Sequence, residues 1–269
     1  MTDVMGLSAR QLEIVLRLNE QGFVSTTELA ASLSVSDMTI RRDTRELARR
    51  GVVRLVHGGG VLPHGTIHTA GFSERAQKES EAKERIAAAC QPLIGTRETL
   101  VIDAGTTSFE VAHQLPSSFR GTIITHSAPV IQRALRLELA STICLGGELI
   151  LDSQAFIGDM TVSAIRGLRA ETAIIGVAAV RADGLYVERD VELPTKRAII
   201  EAADRVIVVA TSGKMNKTAL VHLTDFAVVD IMVTDAPLPA DIAAATRGGV
   251  EVIIAGKHPD QTQTRHSSI

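Results

Sequence analysis

Seven short segments between residues 98 and 256, TLVIDA, TIITH, TICLG, TAIIGVA, RVIVVA, AVVDIMVTD and VEVIIA, are apolar over most of their length, and helical patterns and Gly-containing turns separate them. No other feature narrows the fold as much. A strand that is apolar on both faces must be buried on both faces, which a sheet achieves with helices packed above and below it. Strand alternating with helix then calls for a mostly parallel α/β sheet, whose ligands sit beyond the carboxyl ends of its strands. Residues 8–57 follow a different pattern, with short helical repeats and no buried-strand run. The chain therefore divides into an N-terminal domain over 1–57, a Gly- and Pro-containing linker over 58–73, an α/β domain over 74–256, and a tail over 257–269 that lacks an apolar face and reads as disordered. At 269 residues and 45 % hydrophobic content there is material for two cores.

The net charge of −3 means that any grip on nucleic acid must come from a local basic patch. The first residues lack a positive segment followed by an apolar run, and no stretch approaches the roughly 20 apolar residues of a membrane span, so a soluble, cytoplasmic protein is expected. Cys90 and Cys144 lack metal-type spacing and read as small buried hydrophobes in a reducing compartment.

In the N-terminal domain Leu12, Val15 and Leu16, with Leu18, predict a helix over 8–20 that ends near Gly22. Ser25 and Glu28 fit a capping box before a second helix that packs through Leu29 and Leu33. After a tight turn at Ser34–Val35, Ser36 or Asp37 caps a third helix that Gly51 ends. At 100° per residue Ile40, Thr44, Leu47 and Ala48 share one side, while Arg41, Arg42, Arg45 and Arg49 share another with Met38. Taken alone, such a face reads equally as a solvated charge run. Its setting decides, because a helix–turn–helix precedes it and VVRLVHGGG, carrying Arg54 and His57, alternates like a hairpin wing. A winged helix-turn-helix of this kind reads double-stranded DNA, with residues near the helix start at base edges and arginines on phosphate.

The run VSTTELAASLSVSDMTIRRDTRELARRGVVRLVHGGG resembles the N-terminal signature of the DeoR family of transcription regulators, in which a Val-Ser-x-x-Thr-Ile-Arg-Arg-Asp core opens the recognition helix and Arg-x-x-His-Gly-Gly ends the wing. The resemblance implies DNA contacts from Ser36, Thr39, Arg41 and Arg42; Arg45, Arg54 and His57 join them from the basic face and wing. Met38 is where operator preference would be set, since its apolar tip suits a thymine methyl.

In the α/β domain the clearest polar motif is VIDAGTTSFEVA, where a strand ends at Asp103, turns at Gly105 and starts a helix at Thr106-Thr107-Ser108. By itself this is either an ordinary capped turn or an anion cradle, in which glycine admits close approach and free helix amides face the ligand. Thr125-His126-Ser127, Gly146-Gly147 and the Lys214 loop also follow strands, and that repetition favours a phosphosugar pocket. The same segments resemble the DeoR sensor domain, similar in fold to ribose-5-phosphate isomerase, so the resemblance covers about residues 8–256. It carries over to Asp103, Gly105, Thr106, Thr107, Gly146, Gly147, Lys83, Lys196 and Lys214; the two helical lysines, Lys83 and Lys196, read equally as solvated. Two departures change the polar inventory: Thr125-His126-Ser127 stands where relatives usually have Thr-Asn-Ser, and Ala210-Thr211-Ser212-Gly213-Lys214 where they usually have Ala-Asp-Ser-Ser-Lys.

The expected function is a homo-oligomeric repressor, dimer or tetramer, of a carbohydrate operon, modulated by a phosphorylated sugar and needing no cofactor or metal. The competing reading is a sugar-phosphate isomerase or lyase with a DNA module. Against it stand the lack of an Asp-Gly-Ala-Asp acid–base motif, of a metal-ligand His cluster and of a nucleophile elbow, and Asp183-Gly184 reads as a turn.

Overall fold

A computed structural model describes residues 7–21, 23–50, 52–56, 59–61 and 71–256. It separates into two compact units that meet in sequence between Arg75 and Ala76. His57, Gly22 and Gly51, and the tail at 257–269, lie outside the described residues.

The first unit comprises α1 (Ala9–Gln21), β1 (Phe23–Ser25), α2 (Thr26–Ser32), α3 (Asp37–Arg49), β2 (Arg54–Val56) and β3 (Gly59–Val61). The three strands form an antiparallel sheet in the order β1-β3-β2, the wing beside a helix-turn-helix. Here β3 lies inside the stretch read as linker, so the wing extends past residue 57. Ser25 and Glu28 form the expected capping box, and Ser36 caps α3. The face of α1 is rotated from the expected one: Ile14 is fully buried whereas Leu12 is exposed. A second capping box, Ser8 with Gln11, with reciprocal bonds of 3.0 and 3.2 Å, starts the helix, and Gln11 lies buried as Ile14 does. Ile14, Leu29, Ile40, Leu47, Val52 and Val53 fill this core. An ion pair of 2.5 Å from Arg10 to the largely buried Asp43 ties α1 to α3.

After α4 (Phe72–Gln77), which starts inside the expected linker, the second unit runs α5 (Ser80–Cys90), β4 (Thr99–Ile102), α6 (Thr106–His113), β5 (Thr122–Thr125), α7 (Ala128–Ala134), β6 (Ser141–Cys144), β7 (Glu148–Ile150), β8 (Ala155–Ile157), α8 (Asp159–Arg166), β9 (Ala170–Gly176), β10 (Ala179–Arg181), β11 (Gly184–Val187), α9 (Leu193–Glu201), β12 (Ala203–Val209), β13 (Val221–Thr224), β14 (Ile231–Thr234), α10 (Ala240–Ala245) and β15 (Glu251–Ile254). The seven strands expected from the apolar runs make one parallel sheet in the order β15-β14-β12-β9-β4-β5-β6. Alternation along each strand splits its side chains between two cores. Leu100, Ile102, Ile174, Ile207 and Val209 face α5, α6 and α7, while Val101, Ala173, Ile175, Val206 and Val208 face α8, α9 and α10. The chain winds one way from β4 to β6 and the other way from β9 to β15, so the strand order reverses between β4 and β9. A crevice opens at such a switch point, outside the carboxyl ends of the two strands.

Cys90 is buried, and burial pushes its thiol up to about 12. Cys144 corrects the expectation, since it is exposed: β6 is the last strand of the sheet and has a neighbour on one side only. No helix among the described residues is long and apolar enough to cross a membrane.

Candidate functional site

On α3 the apolar side, Ile40, Thr44 and Leu47, is buried, and Met38, Arg41, Arg42 and Arg45 stand exposed on the opposite side. Those three arginines make no ion pair with any described residue. Arg49, read with them, is instead paired to Glu46, as is Arg50, so the unpaired cationic stripe ends at Arg45, before the last turn of the helix. At the helix start the Ser36 and Thr39 hydroxyls lie 2.9 Å apart and Ser36 Oγ accepts from the Thr39 amide at 3.3 Å. Ser36 remains exposed, so its hydroxyl reaches solvent while it caps. Arg54 opens β2 of the wing.

In the second unit β4 ends at Asp103, which is completely buried at the switch point. Lys196 reaches it from α9, with Nζ 2.5 Å from Asp103 Oδ2 and 2.8 Å from the Gly176 carbonyl oxygen. The amide of Gly176, at the end of β9, donates to the same Oδ2 at 3.0 Å, and His126 Nε2 stands 3.2 Å from Oδ1. Burial alone would raise the Asp103 carboxyl, but the Lys196 ammonium and the His126 hydrogen bond outweigh it and hold the group well below the usual carboxylate range. His126 Nδ1 lies 2.8 Å from the Phe156 carbonyl oxygen. Both ring nitrogens thus face acceptors that cannot donate, and both bonds form at once only in the doubly protonated ring. With a neutral ring the cluster is balanced, and with a protonated ring it carries a net positive charge.

Next to this cluster α6 begins at Gly105, and no side chain caps it. Its first amides lack intrahelical acceptors and, with the dipole, present a positive end. Ser108 Oγ is buried without a hydrogen-bond partner among the described residues. Two glycines let the backbone close in around it: a Cβ on Gly176 would lie 3.1 Å from Ser108 Oγ, and one on Gly105 would lie 3.4 Å from the same oxygen and from the Gly176 Cα. A buried hydroxyl left unsatisfied costs roughly 1–3 kcal/mol, a cost that an acceptor reaching it would remove.

The structure therefore gathers Asp103, Gly105, Ser108, His126 and Lys196, with Thr106 and Thr107 in the first turn of α6. Thr125 and Ser127 flank His126, but their hydroxyls build the loop: Thr125 donates to the Ile102 carbonyl at 2.7 Å and accepts from the Ser127 amide, and Ser127 caps α7. Gly146 offers its carbonyl to the Thr161 hydroxyl at 2.6 Å, and Gly147 has φ of 144°, where a Cβ would lie 2.2 Å from Thr161 Oγ1. Lys83 is buried with Nζ against the carbonyls of Ala76 and Lys78, near the end of α4. Lys214 ends the short turn Ser212–Lys214 after β12. Gly176 was not foreseen, because its part depends on which strand neighbours β4. Nor was the Glu79–Thr211 bond of 2.6 Å, in which Glu79 takes the position that a bulkier residue at Gly213 would need. Among the described residues no group of His, Cys, Asp and Glu side chains is placed to hold a metal ion.

Two family models match: the DeoR-like helix-turn-helix domain over residues 10–66 and the DeoR C terminal sensor domain over 78–236. The chain belongs to the DeoR family. It is 36 % identical over 239 residues to the glycerol-3-phosphate regulon repressor of Escherichia coli (strain K12), spanning 88 % of this chain and 94 % of that one. It is 29 % identical to the putative aga operon transcriptional repressor of Escherichia coli O157:H7, over 94 % and 96 % of the two chains, and 27 % identical to the L-fucose operon activator of Haemophilus influenzae (strain ATCC 51907 / DSM 11121 / KW20 / Rd), over 86 % and 93 %. Ribose 5-phosphate isomerase A from Methanocaldococcus jannaschii aligns with a TM-score of 0.38 at 13 % identity, over 51 % of this chain and 55 % of that one. The DeoR-family chain described here thus joins a helix-turn-helix domain to a sensor domain.

Proposed function

We propose that this DeoR-family protein is a cytoplasmic, homo-oligomeric repressor of a carbohydrate catabolic operon, released from its operator by a phosphorylated sugar or polyol. The observation that carries the effector reading is the orphaned Ser108 hydroxyl between the open start of α6 and the buried Asp103–Lys196–His126 cluster. A phosphoryl group seated there accepts from Ser108, from the first amides of α6 and from cationic donors, a set of partners that an uncharged sugar cannot use to the same extent. Thr106, Thr107, Gly146, Gly147 and Lys214 shape the rest of the pocket, and Thr125 and Ser127 hold His126 in place. The name of the glycerol-3-phosphate regulon repressor, a relative over nearly the whole chain, points to the same phosphorylated class.

On DNA, Arg41, Arg42, Arg45, Arg54 and His57 hold the phosphates while Ser36, Met38 and Thr39 meet base edges in the major groove. Effector and operator are linked by a coupling free energy, and about 1–3 kcal/mol, a factor of roughly 5–150 in affinity, makes a useful switch. Isothermal titration of the full-length protein with glycerol 3-phosphate, fructose 1-phosphate and galactosamine 6-phosphate, each beside its unphosphorylated parent, tests the effector class. Binding of at least one phosphorylated compound without its parent is expected; binding of the parents alone refutes the reading.

A further inference from the structure

His126 meets an acceptor at each ring nitrogen: Nδ1 is 2.8 Å from the Phe156 carbonyl oxygen on β8, and Nε2 is 3.2 Å from Asp103 Oδ1 at the end of β4. Neither oxygen has a proton to give. A carbonyl never does, and Lys196 keeps Asp103 ionised although burial opposes it. A neutral imidazole therefore makes one of these bonds and turns a lone pair on the other oxygen, whereas a doubly protonated ring makes both. Charge pulls the other way. Lys196 already balances Asp103, so a second cation, on a ring that is buried, has no countercharge of its own. The charged groups at the ring are Asp103 from β4 and, through it, Lys196 from α9; β8 contributes the Phe156 backbone, α6 its positive end, and no other carboxylate among the described residues pairs with His126. An anion arriving nearby decides between the two tendencies. The Ser108 hydroxyl that lacks an acceptor lies by the other oxygen of the same carboxylate: a Cβ on Gly105 would be 3.6 Å from Asp103 Oδ2 and 3.4 Å from Ser108 Oγ, and one on Gly176 would be 3.4 and 3.1 Å from the same two atoms.

We propose that His126 makes effector binding proton-linked: the ring takes up a proton from solvent as a phosphoryl dianion binds, and returns it when the ligand leaves. The inference rests on the phosphoryl reading of the site and adds what the site selects. The incoming proton lands on whichever ring nitrogen lacks one, and the ring then donates to Phe156 and to Asp103 together. The extra positive charge is stabilised in proportion to the negative charge brought in. A phosphate monoester is therefore favoured over a carboxylate or a phosphodiester of the same shape, whose single charge holds the proton less well. The sign of the pH dependence follows. A group that holds its proton more tightly in the complex than in the free protein makes affinity fall as pH rises, by at most tenfold per pH unit for one whole proton. At a fixed effector concentration, a rise in pH thus favours the effector-free protein.

Isothermal titration of the full-length protein at about pH 7.5 with glycerol 3-phosphate, fructose 1-phosphate and galactosamine 6-phosphate, in buffers of low and high ionisation enthalpy, counts the protons. Free phosphomonoesters, with a second pKa of about 6, are already dianions there and add little to the count. The wild-type protein is expected to take up at least about half a proton per phosphoryl group bound, and its affinity to fall by about three- to tenfold per pH unit above neutrality. His126→Asn, whose amide stays neutral, is expected to bind the same compound without uptake and without that fall. His113→Asn and His222→Asn, at exposed histidines, are expected to keep the wild-type count. Nitrogen spectra of histidine-labelled wild type read the event without a variant, one ring passing from one protonated nitrogen to two as the compound is added. Binding by wild type without proton uptake, or a count that survives His126→Asn, overturns the inference and leaves the phosphoryl reading standing. Binding of no phosphorylated compound, or of the unphosphorylated parents alone, overturns both.

Discussion

Replacing Lys196 by methionine removes the ammonium 2.5 Å from a completely buried carboxylate while keeping the length of the side chain. The Gly176 amide and His126 remain as partners, so Asp103 is left partly bonded but without its permanent countercharge. Removing one member of a buried pair costs about 3–5 kcal/mol, because the survivor pays its desolvation uncompensated. For a unit of this size that corresponds to a fall in melting temperature of about 6–20 °C. The charge argument makes two further demands. Adding Asp103→Asn to Lys196→Met removes the stranded charge, so the double variant is expected to be more stable than Lys196→Met alone. The pH dependence is expected to differ as well. In the wild-type protein the Asp103 carboxyl is held below its unfolded value of about 3.9, so its contribution is fully present above that pH and disappears as acid titrates the folded group. In Lys196→Met burial dominates, the folded carboxyl rises, and mild acid narrows the stability gap between variant and wild type. Differential scanning calorimetry between pH 4 and 8 reads all three. A Lys196→Met variant within about 1 kcal/mol of wild type at every pH, or a double variant whose losses simply add, refutes the reasoning.

Arg41→Ala is expected to weaken binding to all duplexes alike and to lower the salt slope of log K by about one, which a titration series at several salt concentrations measures; an unchanged slope removes Arg41 from the phosphate contacts. Met38→Ala leaves that slope intact and is expected to alter the sequences recovered in a binding-site selection, and an unaltered set contradicts its place at a base edge. Gly147→Ala forces a side chain onto a backbone at φ of 144° and onto Thr161 Oγ1, and urea unfolding is expected to show a loss of at least about 1–3 kcal/mol; a neutral result means the turn relaxes freely.

The seven sheet strands were legible because a strand buried on both faces must be apolar throughout, whatever its neighbours. Their order was not. That β4 lies beside β9, and so that Gly176 meets Asp103, follows from packing across 73 residues of sequence, which no local pattern encodes. The same gap explains Cys144, whose apolar surroundings in sequence say nothing about being at the end of a sheet. Small strands such as β7, β8, β10 and β11 escaped because three or four residues carry too little periodicity to distinguish from loop. In the first unit the capping box at Ser25 is visible by its spacing, whereas the buried face of α1 is not, because Leu12 and Ile14 are equally apolar in sequence and packing alone buries Ile14. Strand-end chemistry alone pointed to the loop after Asp103, but that Asp103, His126 and Lys196 meet there needed the fold. That Thr125 braces its loop, donating to the Ile102 carbonyl, likewise needed coordinates, since a bracing threonine has no signature of its own in sequence.

Two functions held in separate units, a cationic helix for DNA and an anion cradle for a phosphoryl group, are coupled in this account. Fluorescence anisotropy of a labelled duplex from the region upstream of the chain's own gene, titrated with the full-length protein with and without phosphorylated sugars and polyols, tests that coupling directly. At least one phosphorylated compound is expected to lower affinity by a factor of roughly 5–150 while its unphosphorylated parent does nothing, and Gly105→Val is expected to bind the duplex normally and ignore both. An affinity that no phosphorylated compound changes, or that the parent compounds change equally, contradicts it.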